Sequence, residues 1–170
     1  MGDPKSDATS IVDAKAHRAL AATLFNRAWE LMEQASRSAE DVSEMIHAAH
    51  ASAWHWRQVG APVNFARSEW QCARVYALLS RPSASMRHGR RSLEICEAEG
   101  IRGFDLAFAY EAMARAAALA GDGMEHERLH TLAVEASAEI DDEEDRTYLL
   151  AELATIPEWA TRQQASDDQV

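Results

Sequence analysis

Residues 70–97 read WQCARVYALLSRPSASMRHGRRSLEICE, and residues 111–138 read EAMARAAALAGDGMEHERLHTLAVEASA. The two stretches align without a gap when one is shifted by 41 residues, and the break at 80–82 then falls on the break at 121–123. Self-similarity at such a period is typical of stacked helical repeats, in which one unit cannot bury its own apolar face. The identical pairs are Ala73/Ala114, Arg74/Arg115, Ala77/Ala118, Leu78/Leu119, Arg87/Arg128 and Glu94/Glu135.

Helical periodicity continues on both sides of these stretches. From about residue 10, apolar residues recur at three- and four-residue steps, which predicts amphipathic helices. Glycine and proline interrupt the pattern at short intervals, so neighbouring helices must pack antiparallel. The sequence contains no alternating run of β-branched residues that would predict a strand. We therefore expect an all-α fold with three antiparallel helix pairs at about 10–59, 62–99 and 104–140, and a capping helix at 142–156.

A single domain is expected to span residues 10–158. The polar, aperiodic ends predict a disordered start at 1–9 and a flexible tail at 159–170. The N-terminal region lacks the apolar run of a signal peptide, and no run approaches the roughly 18 residues that span a bilayer. Cys72 and Cys96 lie within helical patterns and do not suggest a disulfide framework. These features predict a cytoplasmic protein with no membrane partner.

The formal net charge of −11 is unevenly distributed. Residues 61–103 hold seven arginines against four glutamates, whereas residues 104–170 hold four arginines against sixteen acids. A general nucleic-acid binder carries net positive charge with clustered Lys and Arg. Because the acidic C-terminal third would repel phosphate, we expect no nucleic-acid partner. The basic middle of the chain could still hold one local anionic group.

Several residues ahead of the turns of the second and third pairs fit a known repeat pattern. The residues concerned are Tyr110, Met113, Ala114 and the turn Gly121-Asp122 in the third pair, and Ala73 and Tyr76 in the second. An aromatic, an aliphatic and a small residue ahead of such a turn resemble the pattern of tetratricopeptide (TPR-like) repeats. The resemblance implies a right-handed α-α superhelix and no catalytic residues. The period of 41 departs from the family's usual 34, and its second-helix positions hold Ser85, Gly89, His126 and His130 instead.

A candidate partner-binding groove follows from this resemblance, because the first helix of each TPR-like pair lines the concave surface. In the second pair, Arg67, Trp70 and Arg74 lie at i, i+3 and i+7, and therefore on one helix face. Arginine donates two parallel hydrogen bonds to a carboxylate or phosphate, which favours a peptide or partner protein with an acidic group. The corresponding residues of the third pair are Phe108, Glu111 and Arg115.

The same residues have a purely structural interpretation. Trp70 could pack between repeats while Arg67 and Arg74 form ion pairs with acids on adjacent helices. The basic segment from Arg87 to Arg91 is predicted to lie on a second helix, as a solvated face or as a dock for an acidic surface. That surface could belong to another copy of the chain, which would make a homodimer.

A histidine cluster offers the competing class of site. Glu44 and His47 have the Glu-x-x-His spacing of carboxylate-bridged metal bundles, and His50 lies one turn further along. A zinc ion needs three or four converging ligands. His126 and His130 form an equally incomplete pair. Packing at helix interfaces is the preferred interpretation of both clusters, and no metal is expected.

No Gly-rich nucleotide-binding loop and no Gly-x-Ser-x-Gly hydrolase motif occurs, and neither cysteine is favoured as a nucleophile. Residues 126–130 (HERLH) match the His-Glu-x-x-His spacing of metalloprotease zinc sites, but we interpret them, like the pair His126 and His130 above, as packing at a helix interface. We therefore expect a non-enzymatic interaction or scaffold module without a cofactor. It would bind a peptide or partner protein in a concave groove. The alternative is a small-ligand- or metal-binding helical bundle centred on Glu44, His47 and His50.

Overall fold

Seven α-helices make up the computed structural model, which describes residues 12–157. No strand occurs in this range. The predicted disordered start at 1–9 and flexible tail at 159–170 lie outside the described residues. The helices are α1 (Ala14–Met32), α2 (Ala39–Val59), α3 (Pro62–Leu78), α4 (Pro82–Glu99), α5 (Phe104–Ala120), α6 (Gly123–Ser137) and α7 (Glu143–Ala154).

Local capping chemistry explains where the helices begin and end. Side-chain oxygens accept hydrogen bonds from first-turn amides that have no partner within the helix, and prolines begin α3 and α4. Gly100 and Gly121 end α4 and α5 with φ of 65° and 79°, in the left-handed region that favours glycine. The N-capping residues with such oxygens are Asp13, Ser38, Asp122 and Asp142.

The first helix is shorter than its periodicity suggests. Apolar spacing alone would extend α1 to about Arg37, but the helix ends at Met32. The guanidinium of Arg37 turns back and donates to the carbonyls of Leu31 and Met32, both at 3.0 Å. Ser38 and Asp41 then form a reciprocal capping box that starts α2.

Adjacent helices pack in pairs: α1 with α2, α3 with α4, and α5 with α6. Because short loops join packed neighbours, each pair is antiparallel. The pairs stack through α2 on α3 and α4 on α5, and the first helices also touch, α1 with α3 and α3 with α5. α7 packs mainly on α5. This arrangement agrees with the expected all-α fold and is compatible with a helical repeat. No helix of the described range is long and apolar enough to cross a membrane.

The 41-residue register is also visible in equivalent contacts. Ser85 donates its hydroxyl to the carbonyl of Ala73 at 2.9 Å, and His126 Nδ1 lies 3.1 Å from the carbonyl of Ala114. Both members of the second contact lie 41 residues after those of the first. A carbonyl only accepts, so His126 must carry its proton on Nδ1. Ser85 and His126 both stand at second-helix positions that depart from the TPR-like pattern, and both make the same link between the two helices of their pair.

Two apolar clusters hold the stack together. The N-terminal cluster joins α1, α2 and α3 around Leu31, Met45 and Val75. The larger one surrounds α5, whose residues are buried on nearly every side and include Phe108 and Met113. A helix that is apolar all round belongs in the core. Alanine is abundant at these buried positions and lets the helix axes approach closely.

Candidate functional site

An aromatic cavity of about 380 Å³ opens between the first helices of the three pairs and α7. Its charged lining residues are Arg67 on α3, Asp105 on α5 and Asp145 on α7. A volume above roughly 300 Å³ is typical of pockets that hold a ligand or an anchoring side chain. The aromatic side chains that define the cavity are Phe25 and Trp29 on α1, Trp70 on α3, Phe104 and Phe108 on α5, and Tyr148 on α7.

Ring-to-ring contacts connect the cavity wall across four helices. Trp70 lies between Trp29 and Phe108, with ring centroids at 5.6 and 5.3 Å. Phe108 also contacts Phe104 at 4.5 Å and Tyr148 at 5.6 Å. Aromatic pairs at such distances contribute about 0.5–1.5 kcal/mol beyond the burial of their area. The rings therefore support one another across the cavity wall.

Trp29 is not among the predicted groove residues, although the sequence carries a signal for it. It lies 41 residues before Trp70, so the shift that aligns the two opening stretches also places Trp29 on Trp70. Two further steps of 41 lead to Glu111 and Glu152. Equivalent positions on α1, α3, α5 and α7 thus carry two tryptophans and then two glutamates. The tryptophans line the aromatic cavity, whereas the glutamates form ion pairs beside it.

Arg67 lies at the cavity but is already paired. Its Nε and Nη2 donate to the two carboxylate oxygens of Asp105 at 2.6 and 3.1 Å. Its Cζ lies 6.0 Å from the centroid of the Phe104 ring, within cation–π range. The hydrogen bond to Asp105 raises the pKa of the guanidinium, which stays charged. The pair is bidentate and cancels its own charge.

Arg74 and Arg115 lie beside the cavity, in an ion cluster with Glu111 and Glu152. Glu111 is completely buried, and its Oε1 accepts from Arg74 Nη1 at 3.3 Å and from Arg115 Nε at 2.7 Å. Arg74 Nη2 also donates to Glu152 Oε2 at 2.8 Å, and Arg115 Nη2 to the Glu152 carbonyl at 2.8 Å. Two guanidinium groups thus face two carboxylates, and neither arginine carries an uncompensated charge.

The six predicted groove residues therefore divide into two groups. Trp70, Phe108 and Arg67 line the aromatic cavity. The other three, Arg74, Glu111 and Arg115, form ion pairs that link α3, α5 and α7. The arginines form ion pairs with acids on adjacent helices, as the purely structural interpretation of these residues expects. Their role in binding a partner stays a prediction.

Glu44, His47 and His50 are not brought together as a metal site. Arg27 holds the carboxylate of Glu44 with bonds of 2.7 and 3.0 Å. His50 Nε2 instead lies 2.9 Å from the hydroxyl of Tyr76. Between residues 12 and 157, no group of three or more His, Cys, Asp or Glu side chains is placed to hold a metal ion. The alternative centred on these three residues therefore has no assembled ligand set.

Burial protects both cysteine thiols. Cys72 and Cys96 are free and buried in the helix interfaces. Burial, with a smaller contribution from nearby carboxylates, raises the pKa of each thiol to about 12. A thiol with such a pKa is protonated at neutral pH, and the thiolate is the reactive form. Both residues act as small apolar groups in the core.

The basic segment from Arg87 to Arg91 lies on α4, as predicted. Arg87 and Arg90 are exposed, Arg91 pairs with Glu94 at 3.0 Å, and His88 Nδ1 lies 2.7 Å from Glu69. The segment borders an open depression of about 420 Å³. The structure thus leaves this surface accessible to an acidic group.

Histidines occur in three close pairs. In the His17/His55 pair the two Nδ1 atoms are 2.8 Å apart, so one must donate and the other accept, and the two rings share one proton. Burial, and secondly the neighbouring histidine, lowers the pKa of one member of each pair. The pairs are His17/His55, His50/His88 and His126/His130, with ring centroids 5.0, 5.3 and 5.7 Å apart. The histidines whose pKa is lowered are His55, His50 and His130, respectively.

We expect mild acid to destabilise the fold through these histidines. Because their folded-state pKa values lie below the ordinary value of about 6.5, the unfolded chain binds more protons once the pH falls below that value. The melting temperature, followed by circular dichroism at constant ionic strength, should therefore decrease as the pH is lowered from about 7.5 to about 5.5. Combining His50→Gln, His55→Gln and His130→Gln should flatten this dependence. A melting temperature that is constant or rises on acidification would contradict the expectation.

Comparison with known proteins gives no relative: no family model, curated protein or solved structure matches the chain.

Proposed function

We propose that this protein is a non-enzymatic interaction module that binds a peptide segment of a partner protein in the aromatic cavity. One observation carries the proposal: α1, α3, α5 and α7 all contribute aromatic side chains to the lining of one cavity. In a TPR-like stack the first helices of the pairs face the bound segment. The same helices line the cavity here, which supports a TPR-like arrangement.

The size and chemistry of the cavity suit an anchoring side chain. Interface energy concentrates in a few residues that fill well-packed pockets, with aromatic residues among the most frequent. A volume of about 380 Å³ holds one or two side chains of a partner segment. The connected rings keep the wall in place before binding, which lowers the entropy cost of association.

The expectation that the partner carries an acidic group has less support than the expectation that the partner is a peptide segment. That expectation depends on guanidinium groups that are free to bind it. Arg67 is occupied by Asp105, and Arg74 by Glu111 and Glu152. Arg115 has the same two glutamates as partners. An acidic segment would have to displace carboxylates that are already well placed.

A homodimer stays a prediction. The exposed Arg87 and Arg90 on α4 and the acidic residues that begin α7 could attract each other between copies of the chain. Such pairs are exposed and therefore screened by salt.

The proposed docking is tested by removing one ring of the cavity. Partners are captured from the native host with the full chain and identified, and binding of a purified partner is then titrated. Trp29→Ala should weaken that binding by about 30-fold or more, because loss of a central aromatic anchor costs about 2 kcal/mol or more. Circular dichroism checks that the variant is folded.

Trp54 supplies the matched control. It lies on α2 outside the aromatic cavity and is 55% exposed. Trp54→Ala should therefore change affinity by less than about threefold. Equal losses in the two variants, or full affinity in Trp29→Ala, would contradict docking in the cavity. A captured small molecule in place of a protein would show that the cavity serves another class of ligand.

A further inference from the structure

The charges on the aromatic cavity are not balanced. Arg67 and Asp105 neutralise each other through their two hydrogen bonds. Within residues 12–157 the carboxylate of Asp145 has no hydrogen bond and no ion pair within 4 Å, although it lies close enough to Arg67 to help raise the pKa of that guanidinium. The described lining thus has one cation and two anions, and the uncompensated group is a carboxylate.

The surroundings of the cavity increase the negative potential. Asp145 belongs to the first turn of α7 together with Glu143 and Glu144, and Asp141 and Asp142 precede it. The neighbouring Arg146 directs its guanidinium toward the carbonyl of Ile140, at 3.5 Å. Burial raises the pKa of the Tyr148 hydroxyl, and nearby glutamates add to the shift while Arg74 opposes it.

The aromatic wall favours a cation for a second reason. The faces of tryptophan, tyrosine and phenylalanine rings carry negative quadrupole charge and attract ammonium and guanidinium groups by about 0.5–2 kcal/mol. Arg67 already lies 6.0 Å from the Phe104 ring and shows that a guanidinium is accommodated at this wall. The long apolar stem of lysine or arginine would cover the rings while its charged end reaches Asp145.

We propose that the aromatic cavity binds a lysine or arginine side chain of the partner segment, with Asp145 as the ion-pair partner. This inference rests on the proposed docking function and specifies the chemistry of the occupant. An acidic side chain would meet an uncompensated carboxylate and, in the described lining, no free cation. An aliphatic side chain would fill the volume but would desolvate Asp145 without compensating its charge.

The experiment uses the full chain and four short synthetic peptides that differ only in a central lysine, arginine, norleucine or glutamate. Binding is followed by the indole N–H resonances of Trp29 and Trp70, assigned through Trp→Phe variants. The lysine and arginine peptides should shift both resonances saturably, with affinity at least about tenfold above the norleucine and glutamate peptides. Norleucine has the lysine stem without the charge, so this comparison isolates the ammonium group.

Asp145→Asn and Asp141→Asn form a matched pair of variants, because each removes one acid near the start of α7. Only Asp145 lines the cavity. Asp145→Asn should weaken the lysine peptide by about threefold to tenfold, and Asp141→Asn by less than about twofold. Equal losses in both variants would reduce the effect to general charge attraction and overturn the assignment.

The remaining outcomes separate this inference from the proposed function. If the norleucine or glutamate peptide binds as tightly as the lysine peptide and still depends on Trp29, the cavity docks segments of another chemistry and only the inference fails. If no peptide shifts either resonance at about 5 mM, both lysine and arginine are excluded as occupants. The proposed function fails only if Trp29→Ala also leaves the captured partner bound. Self-association that Asp145→Asn abolishes would identify a second copy of this chain as the occupant and overturn a separate partner.

Discussion

Replacing Glu111 by alanine should lower the free energy of unfolding by about 3–5 kcal/mol. Glu111 is 0% exposed, and its Oε1 is the shared acceptor for Arg74 and Arg115. Without it, two nearly buried guanidinium groups would have Glu152 as their one remaining carboxylate partner within residues 12–157. Removing one partner of a buried ion pair leaves an uncompensated charge, which costs far more than the intact pair contributes. The alanine also leaves a space in the middle of α5.

Urea denaturation monitored by circular dichroism measures this loss, and Glu125→Ala is its control. Glu125 also forms a short ion pair with an arginine, Arg128, at 2.7 Å, but that pair lies on the surface. Its loss should cost no more than about 1 kcal/mol. The two variants therefore compare the same chemistry inside and outside the core. A Glu111→Ala effect as small as that of Glu125→Ala would show that the ion cluster contributes little to stability.

The helices were predictable because their signals are local. Glycine at position 121 marks the end of α5, and the proline at position 82 marks the start of α4; both do so in the structure. The end of α1 was not predictable from periodicity, because it depends on a side chain that folds back from outside the helix, that of Arg37. Apolar spacing continues past Met32 and carries no information about that contact.

The sequence predicted which of the candidate site residues share a helix face, but not which residues they contact. Helical spacing places Arg67, Trp70 and Arg74 on one face, and all three lie at or beside the aromatic cavity. Spacing cannot identify ion-pair partners from distant parts of the chain. Glu152, which contacts Arg74, is 78 residues away in sequence. The apparent surplus of positive charge in the groove therefore disappears once the helices are packed.

The ion cluster and the aromatic cavity depend on the same helices. Arg74, Glu111 and Glu152 link α3, α5 and α7. These helices also hold Trp70, Phe108 and Tyr148, whose rings meet in the cavity wall. The arginines thus have a role in holding the rings in contact that does not require them to touch a partner. Damage to the ion cluster should consequently open the cavity as well as destabilise the fold.

Truncating Leu149 to alanine should lower the free energy of unfolding by about 2–5 kcal/mol and loosen α7. Leu149 is 0% exposed and is, with Leu153, one of the two buried residues of α7. The helix packs mainly on α5, so the truncation leaves a cavity in its main contact. Because Asp145 and Tyr148 lie on the same helix, loosening α7 also removes one wall of the aromatic cavity.

Hydrogen exchange read by mass spectrometry locates this effect, and denaturation gives its size. Amides of residues 143–154 should exchange faster in Leu149→Ala, while those of α1 and α2 should change little, because neither helix belongs to the main contacts of α7. Leu150→Ala is the control, since Leu150 is the next residue of the same helix and is 44% exposed. Its effect should stay within about 0.5 kcal/mol. Equal exchange rates in the two variants would mean that the buried face of α7 does not hold this helix in place. Another contact would then have to position Asp145 and Tyr148 at the aromatic cavity.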